Sequence, residues 1–73
     1  MNKLLITNIT NEGNVYTFDA NVYESDGTTF KSGTKGETRE LTEGEDRDTM
    51  FKNMAYTSLE IFVDGVSIGF GNK

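Results

Sequence analysis

Leu59-Glu60-Ile61-Phe62-Val63-Asp64-Gly65-Val66-Ser67-Ile68-Gly69-Phe70 is the stretch from which the fold can be read. Alternation places Leu59, Ile61 and Val63 on one face of an extended segment, and Asp64-Gly65 is a two-residue turn of the kind that closes antiparallel hairpins. Val66, Ile68 and Phe70 then form the matching face of the return strand. Beyond it, Gly71-Asn72-Lys73 carries no apolar anchor and reads as a frayed tail.

Immediately upstream the period changes. Met50, Phe51, Met54 and Ala55 recur at helical spacing and give a single apolar stripe. Thr42-Glu43-Gly44-Glu45 has the form of a capping box, with Thr at the N-cap and Glu three residues on. Acids at 43, 45, 46 and 48 would then lie in the first turns, where the helix dipole favours negative charge. The spacing predicts a helix over 43–56.

Three strands precede it. Lys3 to Thr10 is rich in β-branched residues, and Asn11-Glu12-Gly13-Asn14 is a turn signal. From Val15 to Glu24 the alternation is clearest: Tyr16, Phe18, Ala20 and Val22 face the core, and Thr17, Asp19 and Asn21 face away. Ser25-Asp26-Gly27 is a second turn, leading to a short strand centred on Thr29-Phe30-Lys31. Ser32-Gly33-Thr34-Lys35-Gly36 reads either as the tip of a further hairpin, with Glu37 to Leu41 as its outer strand, or as a mobile loop, and Thr38 and Leu41 as β-favouring residues point to the hairpin. The order is β-β-β-(β)-α-β-β in a single domain, 1–73. The fold class is α+β, a small, mainly antiparallel twisted sheet or half-open barrel with one packed helix.

Composition narrows the chemistry. The 73 residues include no Cys, His, Trp or Pro, so thiol nucleophiles, thiolate metal sites and imidazole bases are excluded. Paired carboxylates need a walled cleft, which a one-helix chain of this length has little capacity to build. The expectation is a protein that is not an enzyme and carries no cofactor. Glu43-Gly44-Glu45-Asp46-Arg47-Asp48 is dense in oxygen ligands but lacks the spacing of a calcium loop and has an arginine in its middle. Likewise, Ser32-Gly33-Thr34-Lys35-Gly36 does not have the spacing of a phosphate loop. Apolar runs such as Ile61-Phe62-Val63 are far too short to span a membrane, and no basic leader with an apolar stretch opens the chain. A cytoplasmic protein is expected.

Charge is the informative feature. Net charge is −5, which opposes direct binding to nucleic acid or an anionic membrane and favours a partner protein with a basic face. Glu37, Glu40, Glu43, Glu45, Asp46 and Asp48, against Arg39 and Arg47, give residues 37–48 a net −4 of that total. Read locally, the acids cap a helix and keep it soluble; read functionally, they form a docking surface for a basic protein. Of the eight aromatic residues, Tyr16, Phe18, Phe30, Phe51, Phe62 and Phe70 are read from their alternation as mostly core. Tyr23, on the far side of its strand, and Tyr56, at the helix end, are the candidate exposed contacts. Aromatics on a sheet can also stack single-stranded bases, but no basic groove accompanies these.

The whole-chain length, the opening Leu4-Leu5-Ile6-Thr7 with Val15-Tyr16-Thr17-Phe18, and the acidic Glu43-Gly44-Glu45-Asp46 together carry a likeness. The chain resembles the small RNA polymerase inhibitor and antitermination proteins of Xanthomonas lytic phages. The resemblance implies a regulator acting in the host bacterial cytoplasm, and a monomer is expected. It would bind the basic N-terminal part of the polymerase β′ subunit, block initiation and alter termination. The likeness is one of the whole chain and transfers no individual residue. Two other classes fit an acidic chain of this size: an inhibitor of a nuclease or CRISPR effector, presenting carboxylates where phosphates would lie, and a virion accessory protein that self-associates through sheet edges.

Overall fold

A computed structural model describes all residues from Met1 to Lys73. It contains strands β1 (Asn2–Glu12), β2 (Val15–Tyr23) and β3 (Phe30–Glu40), helix α1 (Arg47–Met54), and strands β4 (Leu59–Val63) and β5 (Val66–Phe70). The strands form one open sheet in the order β3-β2-β1-β4-β5. The first three make an antiparallel meander, the chain returns through α1, and β4 lies parallel to β1 before turning back antiparallel as β5. The α+β class therefore stands, as a mixed open sheet and not a half-open barrel.

Each strand of the central trio gives alternate residues to one face. Leu4 and Ile6, Phe18 and Ala20, and Ile61 and Val63 form that face, and Met50, Phe51 and Ala55 close over it. Phe18 and Phe51 meet edge to face, with ring centroids 5.0 Å apart. Phe18, Phe51, Ile6 and Ile61 are wholly enclosed, and burying each such side chain contributes about 1.5–3 kcal/mol. Neither β3 nor β5 adds a buried residue to this core.

Residues 30–40 form one strand where the sequence predicts a hairpin tip and a separate outer strand. Gly36 is the reason. At φ +66° it absorbs one extra residue as a bulge, so β3 stays paired with β2 on both sides of it instead of reversing. A second bulge lies in β1, where Asn8 takes φ +53° and the register slips between Thr7 and Thr10. The Asp19 carboxylate reaches both, accepting from Asn8 Nδ2 at 2.8 Å and from the Gly36 N–H at 3.0 Å.

The helix is also shorter than the predicted 43–56. Gly44 sits at φ +81°, so Thr42 to Glu45 makes a turn, and the N-cap is Asp46, whose Oδ1 accepts from the Thr49 N–H at 2.8 Å. The capping-box pair still bonds: Glu45 Oε1 accepts from both the N–H and the hydroxyl of Thr42. It closes the turn before the helix instead of starting the helix itself.

The C-terminal residues are docked, against the expectation of fraying. The Asn72 N–H donates to the Lys52 carbonyl at 2.8 Å and the Lys73 N–H to that of Ala55 at 3.0 Å, satisfying acceptors that the end of α1 leaves open. Gly71 is buried, and a methyl group there would lie 2.3 Å from the carbonyl oxygens of Ala55 and Tyr56. Only glycine lets the chain pass this close.

Candidate functional site

The acidic segment runs from the end of β3, through the turn at 42–45, into the first turn of α1. Topology adds to it. Val15 pairs with Glu12 on β1 and with Glu40 on β3, so Glu12 and Glu40 flank an exposed valine on one face of the sheet. The Leu41 N–H donates to the Asn14 carbonyl at 2.9 Å, fixing the acidic turn against the first hairpin. Glu12 does not stand out in the sequence because it lies in what reads as a turn, 25 residues before the cluster begins. Only the strand register brings it there.

The six candidate acids are not equivalent. Glu45 and Asp46 are occupied by the fold: Glu45 Oε2 accepts from Asn53 Nδ2 at 3.0 Å while Oε1 holds Thr42, and Asp46 caps the helix. Bonds from the Thr42 backbone and from Asn53 keep Glu45 below the usual carboxylate range, and bonds from Thr49 do the same for Asp46. Glu37 pairs with Arg39 two residues on. Asp48 has only the Arg47 guanidinium, at 3.4 Å, near an oxygen that accepts no hydrogen bond. Glu40 and Glu43 are exposed and neither accepts a side-chain hydrogen bond nor joins an ion pair. With Glu12 they are the carboxylates at this end that folding leaves unused.

The two candidate tyrosines lie elsewhere. Tyr23 is at the far end of β2, on the sheet face away from the helix, edge to face with Phe30 at 5.8 Å between centroids. Tyr56 follows α1 and is exposed, with Lys73 Nζ 5.5 Å from its ring centre. The structure does not join either to the acidic end.

Three aromatics expected in the core lie outside it: Phe62 is half-buried on the uncovered face, between the inward Ile61 and Val63, and two others are exposed. Phe30 is 57% and Phe70 52% accessible. For Phe70 the cause is a bulge between Ile61 and Phe62 of β4, where Gly69, at φ +108°, pairs with Ile61 and Phe70 pairs with Glu60. One extra residue transfers the end of β5 to the opposite face. Phe30 stands at the edge of the uncovered face, opposite Tyr23.

On that uncovered face, Lys3, Leu5, Gly27, Phe62 and Gly65 line an open depression of about 240 Å³. No three Asp or Glu side chains converge as a metal-binding group. The single helix is not long and apolar enough to cross a membrane. Comparison with known protein families, with curated proteins and with solved structures finds no match to this chain.

Proposed function

We propose that the chain is a non-catalytic regulator that docks by its acidic end on a basic surface of bacterial RNA polymerase, the partner its sequence resembles a ligand for. It would act in the host cytoplasm to inhibit initiation or promote antitermination. The observation supporting this reading is the crowding of acids at one end of the molecule. Glu12, Glu40, Glu43 and the capping acids gather where β1 and β3 end, while at the other end of β1 the acids Glu24, Asp26 and Glu60 are accompanied by Lys3 and Lys31. Nine residues of strand separate Lys3 from Glu12, roughly 30 Å at about 3.3 Å per residue. An acidic end of this kind orients an incoming basic partner and raises the association rate, with strong salt dependence.

Folding needs Glu45 and Asp46, so reversing them tests stability as much as recognition. The informative variant is Glu40→Lys with Glu43→Lys. Binding to purified polymerase is measured by fluorescence anisotropy at low and at high salt. The reading predicts slower association for the double variant, and a gap from wild type that narrows as salt rises. Equal association rates at low salt would remove the acidic end from the interface. Absence of binding by the wild-type chain would remove polymerase as the partner, and capture of a nuclease from lysate would favour the nuclease-inhibitor reading.

A further inference from the structure

The depression on the uncovered face has a composition unlike the rest of this acidic surface. Leu5 and Phe62, paired across β1 and β4, form its apolar floor. Lys3 enters from β1, with its Nζ 5.6 Å from the centre of the Phe62 ring. The 24–29 turn leans on the same side chain: a methyl group on Gly27 would lie 3.6 Å from Nζ and 3.7 Å from Cδ. Gly27 and Gly65 keep the rim open, since both sit at positive φ and present no side chain to fill it.

The lysine has no carboxylate within 4.0 Å, although acids stand close in sequence and register. Asp26 is spent on its own turn, where its oxygens accept from the Thr28 and Thr29 N–H groups and from the Thr29 hydroxyl. Glu60, the register partner of Lys3 on β4, accepts from the Ser67 hydroxyl at 2.8 Å and is drawn towards β5. A cation is thus held over an aromatic ring beside an aliphatic side chain, and Asp26 and Glu60 are engaged elsewhere. Ligand sites combine such an apolar wall with one placed charge.

The geometry points to a binding site for a small carboxylate with an apolar body. The hydrocarbon part would lie on Leu5 and Phe62 and the carboxylate would accept from Lys3 Nζ. The volume is below the ~300 Å³ at which pockets for drug-sized ligands begin, so the occupant is about the size of one aromatic or branched side chain. A free aryl or alkyl acid and the C-terminal residue of a polypeptide share this chemistry. The site is independent of the acidic end and of the polymerase reading.

The test is an amide-resolved NMR titration with phenylacetate at physiological salt, where the net −5 is largely screened. Saturable shifts are expected at Lys3, Leu5, Gly27, Phe62 and Gly65. The neutral analogue phenylacetamide should bind about tenfold or more weakly, the worth of a charge-assisted hydrogen bond, and Lys3→Gln should weaken phenylacetate by a similar factor. Should that variant fail to fold, the comparison of acid with amide on the native chain decides. Acetylglycylphenylalanine, tested in parallel, identifies a polypeptide end if it binds more tightly than phenylacetate and a free acid if it binds less tightly. Equal binding of acid and amide, shifts confined to other residues, or no saturable shift with millimolar ligand would each overturn the proposal.

Discussion

β2 and β3 are neighbours in the sheet, paired along most of their lengths, yet they are built on opposite terms. β2 inserts Phe18 and Ala20 into the core, and each of its inward positions is fixed by what it packs against. β3 buries no residue: it reads Phe-Lys-Ser-Gly-Thr-Lys-Gly-Glu-Thr-Arg-Glu and is held by backbone pairing, by the Gly36 bulge and by the Asp19 carboxylate. A strand with no share in the core has side chains that packing does not dictate. In this molecule the last four residues of that strand and the turn after it hold the acidic cluster, Glu37, Glu40, Glu43, Glu45 and Asp46 against Arg39. The difference teaches that the acidic end contains side chains the fold does not use, Glu12, Glu40 and Glu43, beside Glu45 and Asp46, which it does, and the unused ones are the most open to selection for binding.

The largest effect is expected at Phe18. Phe18→Ala removes a fully enclosed ring from its edge contact with Phe51 and should cost about 3–5 kcal/mol in urea unfolding. Total stability for a chain of this length is about 4–11 kcal/mol, so the variant would lie near the limit of folding. A small loss would mean that the core is shared more widely than β2 and α1 indicate.

A single-residue change in β3 should act through the backbone alone. A methyl group on Gly36 meets nothing within 4 Å, so Gly36→Ala is penalised only for its positive φ, by about 1–2 kcal/mol. If stability does not change, the bulge is not what keeps β3 continuous. A larger loss would show that β3 contributes more to the fold than its exposed side chains indicate.

The contribution of Asp19 is read through pH. Its bonds from Asn8 and then from the Gly36 N–H lower its folded pKa below the ordinary 3.8. The sign follows from linkage. The unfolded chain binds this proton first, so the stabilisation is complete above the unfolded pKa and is lost as pH falls through the folded one. Asp26, Glu45 and Asp46 are lowered for similar reasons and act in the same acidic window. Asp19→Asn should therefore flatten, without abolishing, the fall in melting temperature below about pH 4, where an unperturbed aspartate titrates. An unchanged slope would remove Asp19 as the link between the two bulges.

Much of this architecture is legible in the sequence where side-chain periodicity reports burial. Phe18 and Ala20 on β2, Met50 and Phe51 on α1, and Ile61 and Val63 on β4 are all read correctly from spacing. Reading fails where the backbone leaves its regular period. Bulges at Asn8, Gly36 and Gly69 need only one residue each, and the last exposes Phe70. The helix start is misplaced by a few residues because Thr42 and Glu45 do bond as a capping pair, but around a turn that Gly44 permits. Of the candidate site, the acidic cluster is visible as composition. Which acids remain free is not, because that depends on where Asn53, Thr49 and Arg39 fall in space. Glu12 enters the site only through the register of three strands.

The smallest effect on folding is expected at Glu40 and Glu43, where binding and stability should separate. Exposed substitutions away from caps and core stay within about 0.5 kcal/mol, so Glu40→Lys with Glu43→Lys should melt with wild-type protein. Its equilibrium affinity for RNA polymerase at low salt should nevertheless fall by tenfold or more, about 1.4 kcal/mol. Unchanged melting with unchanged affinity would contradict the claim that the residues folding leaves free are the ones that bind.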